Sequence, residues 1–143
     1  MTSGYTFVDH TADIAVDIAT SSLEELFTLS ASAWKEVVCE LVDLPESGSM
    51  KIELTSFSIE TLLVTFISEL NFLFQKKYCL MTNIEEIKIS EMDDEFYLAA
   101  NIIGSTFNLS DIKLKAEVKA VTYHQMEIEK LNGQFKTRII FDI

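Results

Sequence analysis

The 143-residue chain has a hydrophobic content of 48% and a formal net charge of −12 at pH 7. This hydrophobic content excludes an intrinsically disordered chain, and the length predicts one domain spanning residues 1–143. The negative charge disfavours binding to nucleic acid or to an anionic membrane, because Lys and Arg make those contacts, and it favours a basic protein partner or a cation.

The sequence shows no secretory signal pattern and no run of about 20 apolar residues, so we expect a cytoplasmic protein. Its two cysteines, Cys39 and Cys79, are far apart and form no CxxC motif. We therefore expect both to be reduced, buried thiols, as is usual in the cytosol.

A first amphipathic helix is predicted from apolar residues that recur at three- and four-residue spacing from Leu23 to Leu41. Ser22 and Glu25 form a capping-box pattern at its start, and a second such pattern begins one residue earlier. The apolar stripe predicts a surface that faces the core.

A second helix is predicted from a similar stripe that runs from Ile59 to Phe74. Either Ser56 or Ser58 can serve as its N-cap, because a serine hydroxyl accepts a hydrogen bond from the backbone of the first turn. This stripe also predicts a core-facing surface.

The rest of the chain is predicted to form strands, because polarity alternates and β-branched and aromatic residues are frequent. The predicted strands are residues 5–10, 14–19, 51–55, 78–90, 95–103 and 117–131. Together, these elements predict an α+β fold in which two helices pack on a mostly antiparallel sheet.

The clearest turn is Asn132-Gly133, which predicts a type I′ hairpin because both positions require a positive φ. The resulting register pairs Lys136 with Glu129 and Arg138 with Glu127, which are two pairs of opposite charge on one face. The other face is apolar, so the register agrees with the polarity pattern on both sides.

Continued to the last residue, this register places Asp142 opposite Tyr123 and Ile143 opposite Thr122. His124 falls on the apolar face, where a hydrogen-bonded core histidine is the ordinary interpretation. A bulge in either strand would move all of these positions to the other face.

Asp142 and Ile143 end an apolar, strand-like run. The Asp142 side chain and an Ile143 α-carboxylate are predicted to lie close together, and two neighbouring anions repel unless a positive charge sits between them. A hard cation such as Ca²⁺ or Mg²⁺ is the usual solution. The alternative is a solvated strand end followed by a packed apolar residue.

Two further segments are site candidates. In the polar break at residues 9–13, Asp13 is either a carboxylate ligand that Asp9 or His10 supports, or a cap for the backbone of a tight connection.

Lys119 lies in an otherwise apolar run, and a buried Lys requires a carboxylate partner. Such a pair would be either structural or a charge tuned for function.

Taken together, these segments resemble the archease family. The matching segments are, in chain order, DHTADI at 9–14, LEELF at 23–27, ETLLV at 60–64, ELNFL at 69–73, EVKAVTYH at 117–124 and IFDI at 140–143. The resemblance runs over the whole chain and implies a compact α+β fold with two helices on antiparallel sheet.

The resemblance also implies a function. Archeases are non-catalytic protein cofactors that stimulate guanylylation and multiple turnover of an RtcB-type, GTP-dependent RNA ligase in tRNA splicing and RNA repair. By position, the family's divalent metal ion (Ca²⁺ or Mg²⁺, with Mn²⁺ as a further candidate) falls on Asp13, Asp142 and Ile143, the last through main-chain or terminal oxygens. No nucleotide is expected on this chain itself. The candidates that support these ligands or contact the partner are Asp9, His10, Lys119, Tyr123 and His124.

The chain departs from the family pattern at three places. It has Thr20-Ser21-Ser22 where a Gly usually precedes the first helix, and Phe66 where Trp is commoner. Residues 105–115 lack the usual Gly and His, which affects the expected contact of that loop with a partner. None of the three touches the expected metal ligands.

Two other functions stay open at this point. One is a general chaperone-like or adaptor protein that binds basic partners. The other is a metal-dependent hydrolase, for which the sequence offers carboxylates but no identifiable nucleophile and base.

Overall fold

The computed structural model of the protein describes residues 3–8, 13–40, 43–122 and 126–143. Within these ranges it has two α-helices, a short 3₁₀ helix at Leu109–Asp111 and eight strands, and the strand pairings are antiparallel. The elements are β1 Gly4–Val8, β2 Asp13–Thr20, α1 Leu23–Val38, β3 Gly48–Ser56, α2 Ile59–Lys77, β4 Cys79–Met92, β5 Glu95–Thr106, β6 Ala120–Val121, β7 Glu129–Leu131 and β8 Gln134–Asp142. The predicted α+β class is confirmed.

The strands form two sheets that the helices join. One sheet has the order β1-β2-β8-β6, with β7 also paired to β8, and the other has the order β3-β5-β4. Helix α1 packs on β1, β2 and β8 of the first sheet and on β4 of the second, while α2 packs on β3, β4, β5 and β6. One hydrophobic core therefore serves both sheets.

Both helices begin where their caps predict. The Ser22 hydroxyl accepts a hydrogen bond from the N–H of Glu25 at 3.1 Å, and the Ser58 hydroxyl accepts one from the N–H of Thr61 at 3.1 Å. Ser58, and not Ser56, is therefore the N-cap of α2. In the described parts of the chain, neither helix is long and apolar enough to cross a membrane.

The last hairpin forms as predicted at its turn. Asn132 and Gly133 have φ values of 53° and 75°, as a type I′ turn requires. Beyond the turn, Glu129 lies opposite Lys136 in the expected register. The ladder ends at this pair, so the predicted pairing of Arg138 with Glu127 is not part of it, and Arg138 binds the carboxylate of Asp17 on β2.

The predicted register also fails at the end of β8. Asp142 lies opposite Ala120, three residues earlier than the predicted Tyr123, and Phe141 lies opposite Val121. Residues 126–128 leave the sheet, and the N–H of Ile128 donates to the carboxylate of Glu60 on α2 at 2.9 Å. The predicted strand at 117–131 is therefore interrupted. Residues 129–131 keep the predicted register against β8, whereas residues 120–121 are shifted from it by three positions.

Candidate functional site

Two acidic residues from opposite ends of the chain meet in the first sheet. Strands β2 and β8 pair over eight positions, and Asp13 lies directly opposite Asp142 at one end of this ladder. Directly opposed residues of antiparallel strands point to the same face, with Cβ atoms about 4.5–5.5 Å apart. Both residues are half-buried. The fold thus brings the two predicted carboxylate ligands together.

The same face of the same two strands carries a contrasting pair. Arg138 lies opposite Asp17, and its Nε and Nη2 donate to the two carboxylate oxygens at 2.6 and 2.9 Å. These hydrogen bonds lower the pKa of Asp17, although its partial burial acts in the opposite direction. Asp13, by comparison, has another acid as its directly opposed residue. Like charges in this position destabilise a sheet, and a bound cation relieves the repulsion.

The donor atoms at this end of the ladder fit a hard cation. Among the described residues, no group of three Asp, Glu, His or Cys side chains is arranged to hold a metal ion. A cation between Asp13 and Asp142 therefore needs further oxygens from the main chain, from water or from residues outside the described ranges. Ile143 follows directly, is 38% exposed and offers main-chain oxygens. An all-oxygen set of this kind suits Ca²⁺ or Mg²⁺.

The main chain of Asp142 is held by a third segment. The N–H of Lys119 donates to the carbonyl oxygen of Asp142 at 2.7 Å, and the N–H of Thr122 donates to that of Ile140 at 3.0 Å. Asp142 therefore lies in a central strand, between β2 and the segment that forms β6. This pairing orients the residue from both sides.

The side chain of Lys119 does not lie where the sequence predicted. The prediction assumed a buried Lys, but Lys119 is exposed, and the preceding Val118 is the buried residue. The segment is not a regular strand at this point, so alternation could not identify the inward-facing residue. Lys119 contributes its backbone N–H to the site, and a role for its ammonium group stays a prediction.

A buried polar network supports this segment from the helices. Trp34 Nε1 on α1 donates to Asn71 Oδ1 on α2 at 2.9 Å, and Asn71 Nδ2 donates to the carbonyl oxygen of Val118 at 2.9 Å. Gln75 Nε2 donates to the same oxygen at 2.9 Å. Both helices thereby hold the residue that precedes Lys119.

Asn71 is a supporting residue that the sequence motifs did not indicate. The available signal was its position, four residues after Ile67, which makes it a polar residue on the apolar face of α2. A buried Asn at such a position requires hydrogen-bond partners, and here it has two.

Four of the predicted site residues lie outside the described residues. They are Asp9, His10, Tyr123 and His124. Their assignment as residues that support the metal ligands or contact a partner stays a prediction.

Comparison with known proteins agrees with the motifs. The family model for the archease protein family (MTH1598/TM1083) matches residues 5–143. The chain belongs to the archease family. The archease of Methanosarcina barkeri (strain Fusaro / DSM 804) is 32% identical over 139 residues, which are 97% of this chain and 95% of that protein.

Solved archease structures show the same fold. The solution structure of protein 1598 from Methanobacterium thermoautotrophicum matches with a TM-score of 0.83 and 32% identity, over 98% of this chain and 99% of that one. The crystal structure of an archease, a possible chaperone, from Thermotoga maritima matches with a TM-score of 0.60 over 95% and 94%. At 22% identity, the second match supports the fold alone.

Proposed function

We propose that this archease-family protein is a non-catalytic cofactor of an RtcB-type RNA ligase, which stimulates guanylylation and multiple turnover of the ligase in tRNA splicing and RNA repair. The observation that carries the proposal is the direct opposition of Asp13 and Asp142 in a chain that matches the family from residue 5 to residue 143. Two carboxylates set face to face supply paired oxygen ligands, which supports a binding site for a cation.

The proposed metal site consists of Asp13, Asp142 and the main-chain or terminal oxygens of Ile143. A divalent cation bound there would neutralise the two carboxylates and would supply a Lewis-acidic centre. The chain's own residues give the site its shape. The pairing of β2 with β8 sets Asp13 opposite Asp142, and the N–H of Lys119 holds the main chain of Asp142.

The charge of the chain supports the proposed partner. It has 23 acidic and 11 basic residues, so its surface complements a basic one, as is found where a protein binds RNA. We further propose that the chain works in the cytoplasm and has no catalytic activity of its own. Among the residues that the structure describes, the candidate site offers carboxylates and backbone groups and no nucleophile paired to a base.

The test is RNA ligation by a purified RtcB-type ligase that is limiting relative to RNA, with GTP and Mg²⁺ or Mn²⁺ present throughout. Addition of this protein is expected to raise ligation from a single turnover to many. Asp13→Ala and Asp142→Ala are expected to lose the stimulation. Asp17→Ala, a matched change on the same face of β2, is expected to keep it.

The possible results separate the parts of the proposal. No stimulation of a cognate ligase would contradict the function as a whole. If Asp13→Ala and Asp142→Ala stimulated the ligase fully, the proposed metal site would be contradicted, but the proposed ligase partner would not.

A second candidate is a chaperone-like or adaptor function. The observation in its favour is an apolar groove of about 430 Å³ at the end of α2, where Tyr78, Leu109 and Leu114 are exposed beside the buried ring of Phe107. It predicts that stoichiometric protein suppresses the aggregation of unrelated clients. Ligase stimulation without any such suppression would exclude it.

A further inference from the structure

Strand β3 lies at the edge of the three-stranded sheet. The strand runs from Gly48 to Ser56, and its nine residues pair with β5 without a register shift. A long, regular edge strand presents a row of backbone N–H and C=O groups that can pair with another strand.

The opposite edge of this sheet is protected. Strand β4 departs twice from regular pairing with β5, and such irregularities hinder edge-to-edge association. Side chains of α1 also form hydrogen bonds with backbone groups of β4. The Glu24 carboxylate accepts one from the N–H of Ile89 at 3.1 Å, and the Lys35 ammonium donates one to the carbonyl oxygen of Thr82 at 3.4 Å. Within the described part of the chain, β3 has no comparable protection.

Apolar side chains are exposed at both ends of β3. Met50 is 38% exposed, and Phe57, which directly follows the strand, is 82% exposed. Phe57 is the most exposed large apolar side chain among the described residues. Exposed apolar side chains next to a free edge are compatible with pairing of that edge with a further strand.

We propose that β3 pairs antiparallel with β3 of a second copy of this chain, across a two-fold axis at Ile52. The two three-stranded sheets then form one continuous sheet with the helices of both copies on the same face. In this register, Lys51 of each copy faces Glu53 of the other, and Met50 faces Leu54. All nine residues of β3 take part, because Gly48 faces Ser56.

Charge selects this register over its neighbours. A two-fold axis perpendicular to the sheet lies between the two copies of β3. Facing side chains lie on the same face of the sheet, so the axis must be level with one residue of β3, which then faces its own copy. An axis at Lys51 would place Lys51 opposite Lys51 of the second copy. An axis at Glu53 would place Glu53 opposite Glu53 of the second copy. Like charges directly opposite destabilise a sheet. Of the three central positions, only Ile52 pairs opposite charges.

The test is sedimentation equilibrium of the full chain from micromolar to millimolar concentration, at physiological ionic strength to screen the −12 charge of each copy. The wild type is expected to dimerise. Lys51→Glu and Glu53→Lys are each expected to weaken the dimer about tenfold or more, because the symmetry repeats each repulsion twice. The double reversal, Lys51→Glu with Glu53→Lys, is expected to restore it.

The matched control is Lys88→Glu on β4. Lys88 and Glu86 are two residues apart, with a 3.3 Å contact between them, as Lys51 and Glu53 are with a 3.5 Å contact. This variant is expected to dimerise like the wild type. A wild type that is monomeric throughout, or a Lys51→Glu variant that dimerises equally well, would overturn the proposal. The proposal would also be overturned if the double-reversal variant stayed monomeric although its circular dichroism spectrum showed that it is folded.

Discussion

Asn71 of α2 donates a hydrogen bond from Nδ2 to the carbonyl oxygen of Val118, 2.9 Å away. The next residue, Lys119, uses its N–H to hold the carbonyl of Asp142 at 2.7 Å. The carbonyl of Val118 and the N–H of Lys119 belong to the same peptide unit, so a buried helix amide and the candidate metal ligand Asp142 bind the two sides of one peptide group. The packing of α2 and the geometry around Asp142 are coupled through this path.

Asn71→Ala is expected to lower the free energy of unfolding by about 2–3 kcal/mol, because it leaves the buried Trp34 Nε1–H without its acceptor. Urea unfolding followed by circular dichroism measures the change. Gln75→Ala is the control, since Gln75 donates to the same carbonyl but is only partly buried, and we expect a loss of about 1 kcal/mol. Equal losses in the two variants would contradict the central role of Asn71.

Asp13→Asn and Asp142→Asn are each expected to weaken binding of Ca²⁺, Mg²⁺ or Mn²⁺ in titration calorimetry. In metal-free buffer, Asp142→Asn is expected to raise the free energy of unfolding by about 0.2–1 kcal/mol, because it removes a like charge from the cross-strand pair. Asp17→Asn is the control. It should leave metal affinity unchanged and cost up to about 1 kcal/mol through its exposed ion pair with Arg138.

A separate experiment tests whether Ile143 supplies a ligand to the metal ion. Residues added after Ile143 are expected to weaken metal binding, whereas an extension at the other end of the chain should have no effect. Equal affinities for the two extended proteins would show that no α-carboxylate oxygen of Ile143 is a ligand and would leave its carbonyl oxygen as the candidate.

Tyr5 is expected to make stability depend on pH in the alkaline range. Its hydroxyl donates to the Glu36 carboxylate at 2.5 Å, and this bond, with some burial, raises the pKa of Tyr5 to about 12. The unfolded pKa is about 10, so the stabilisation is complete below about pH 10 and is lost as the pH rises towards about 12.

Unfolding experiments across this pH range test the prediction. Tyr5→Phe is expected to lower the free energy of unfolding at neutral pH by about 0.5–1.5 kcal/mol and to flatten the alkaline loss. Glu36→Gln should also flatten it, because the charge that favours the protonated phenol is gone. An alkaline loss of the same size in Tyr5→Phe would show that other groups cause it.

Gly104 of β5 packs against a buried thiol. A Cβ atom at this position would lie 2.7 Å from Cys79 Sγ. Gly104→Ala is therefore expected to cost about 1–3 kcal/mol, and Cys79→Ala in the same chain should recover part of that cost. Thermal unfolding of the four proteins of this cycle measures the coupling. Additive losses would mean that the strain lies elsewhere.

The same region bears out the prediction about the cysteines. Cys39 and Cys79 are both free and buried, and burial raises the pKa of each thiol. A higher thiol pKa leaves less thiolate at neutral pH, which disfavours redox chemistry and nucleophilic attack by either Cys.

The elements with local signals were predictable from the sequence. Apolar spacing and serine caps identified α1 and α2, and the Asn132-Gly133 pair identified the last turn, because each signal acts over a few neighbouring residues. The motifs that resemble the archease family also identified Asp13 and Asp142 as a pair, without any knowledge of how the strands are arranged.

Only the tertiary structure decided which residues surround Asp142. Its cross-strand partners are Asp13 and Ala120, whereas the register of the last hairpin predicted Tyr123. Between the two ladders, residues 126–128 lie outside any strand, and the N–H of Ile128 donates to the carboxylate of Glu60. Strand register between distant segments depends on contacts with other elements, and a shift by an odd number of residues reverses the face of every side chain. The sequence by itself therefore determined the helices, the turn and the family. The fold determined the register, the outward position of the Lys119 side chain and the support from Asn71.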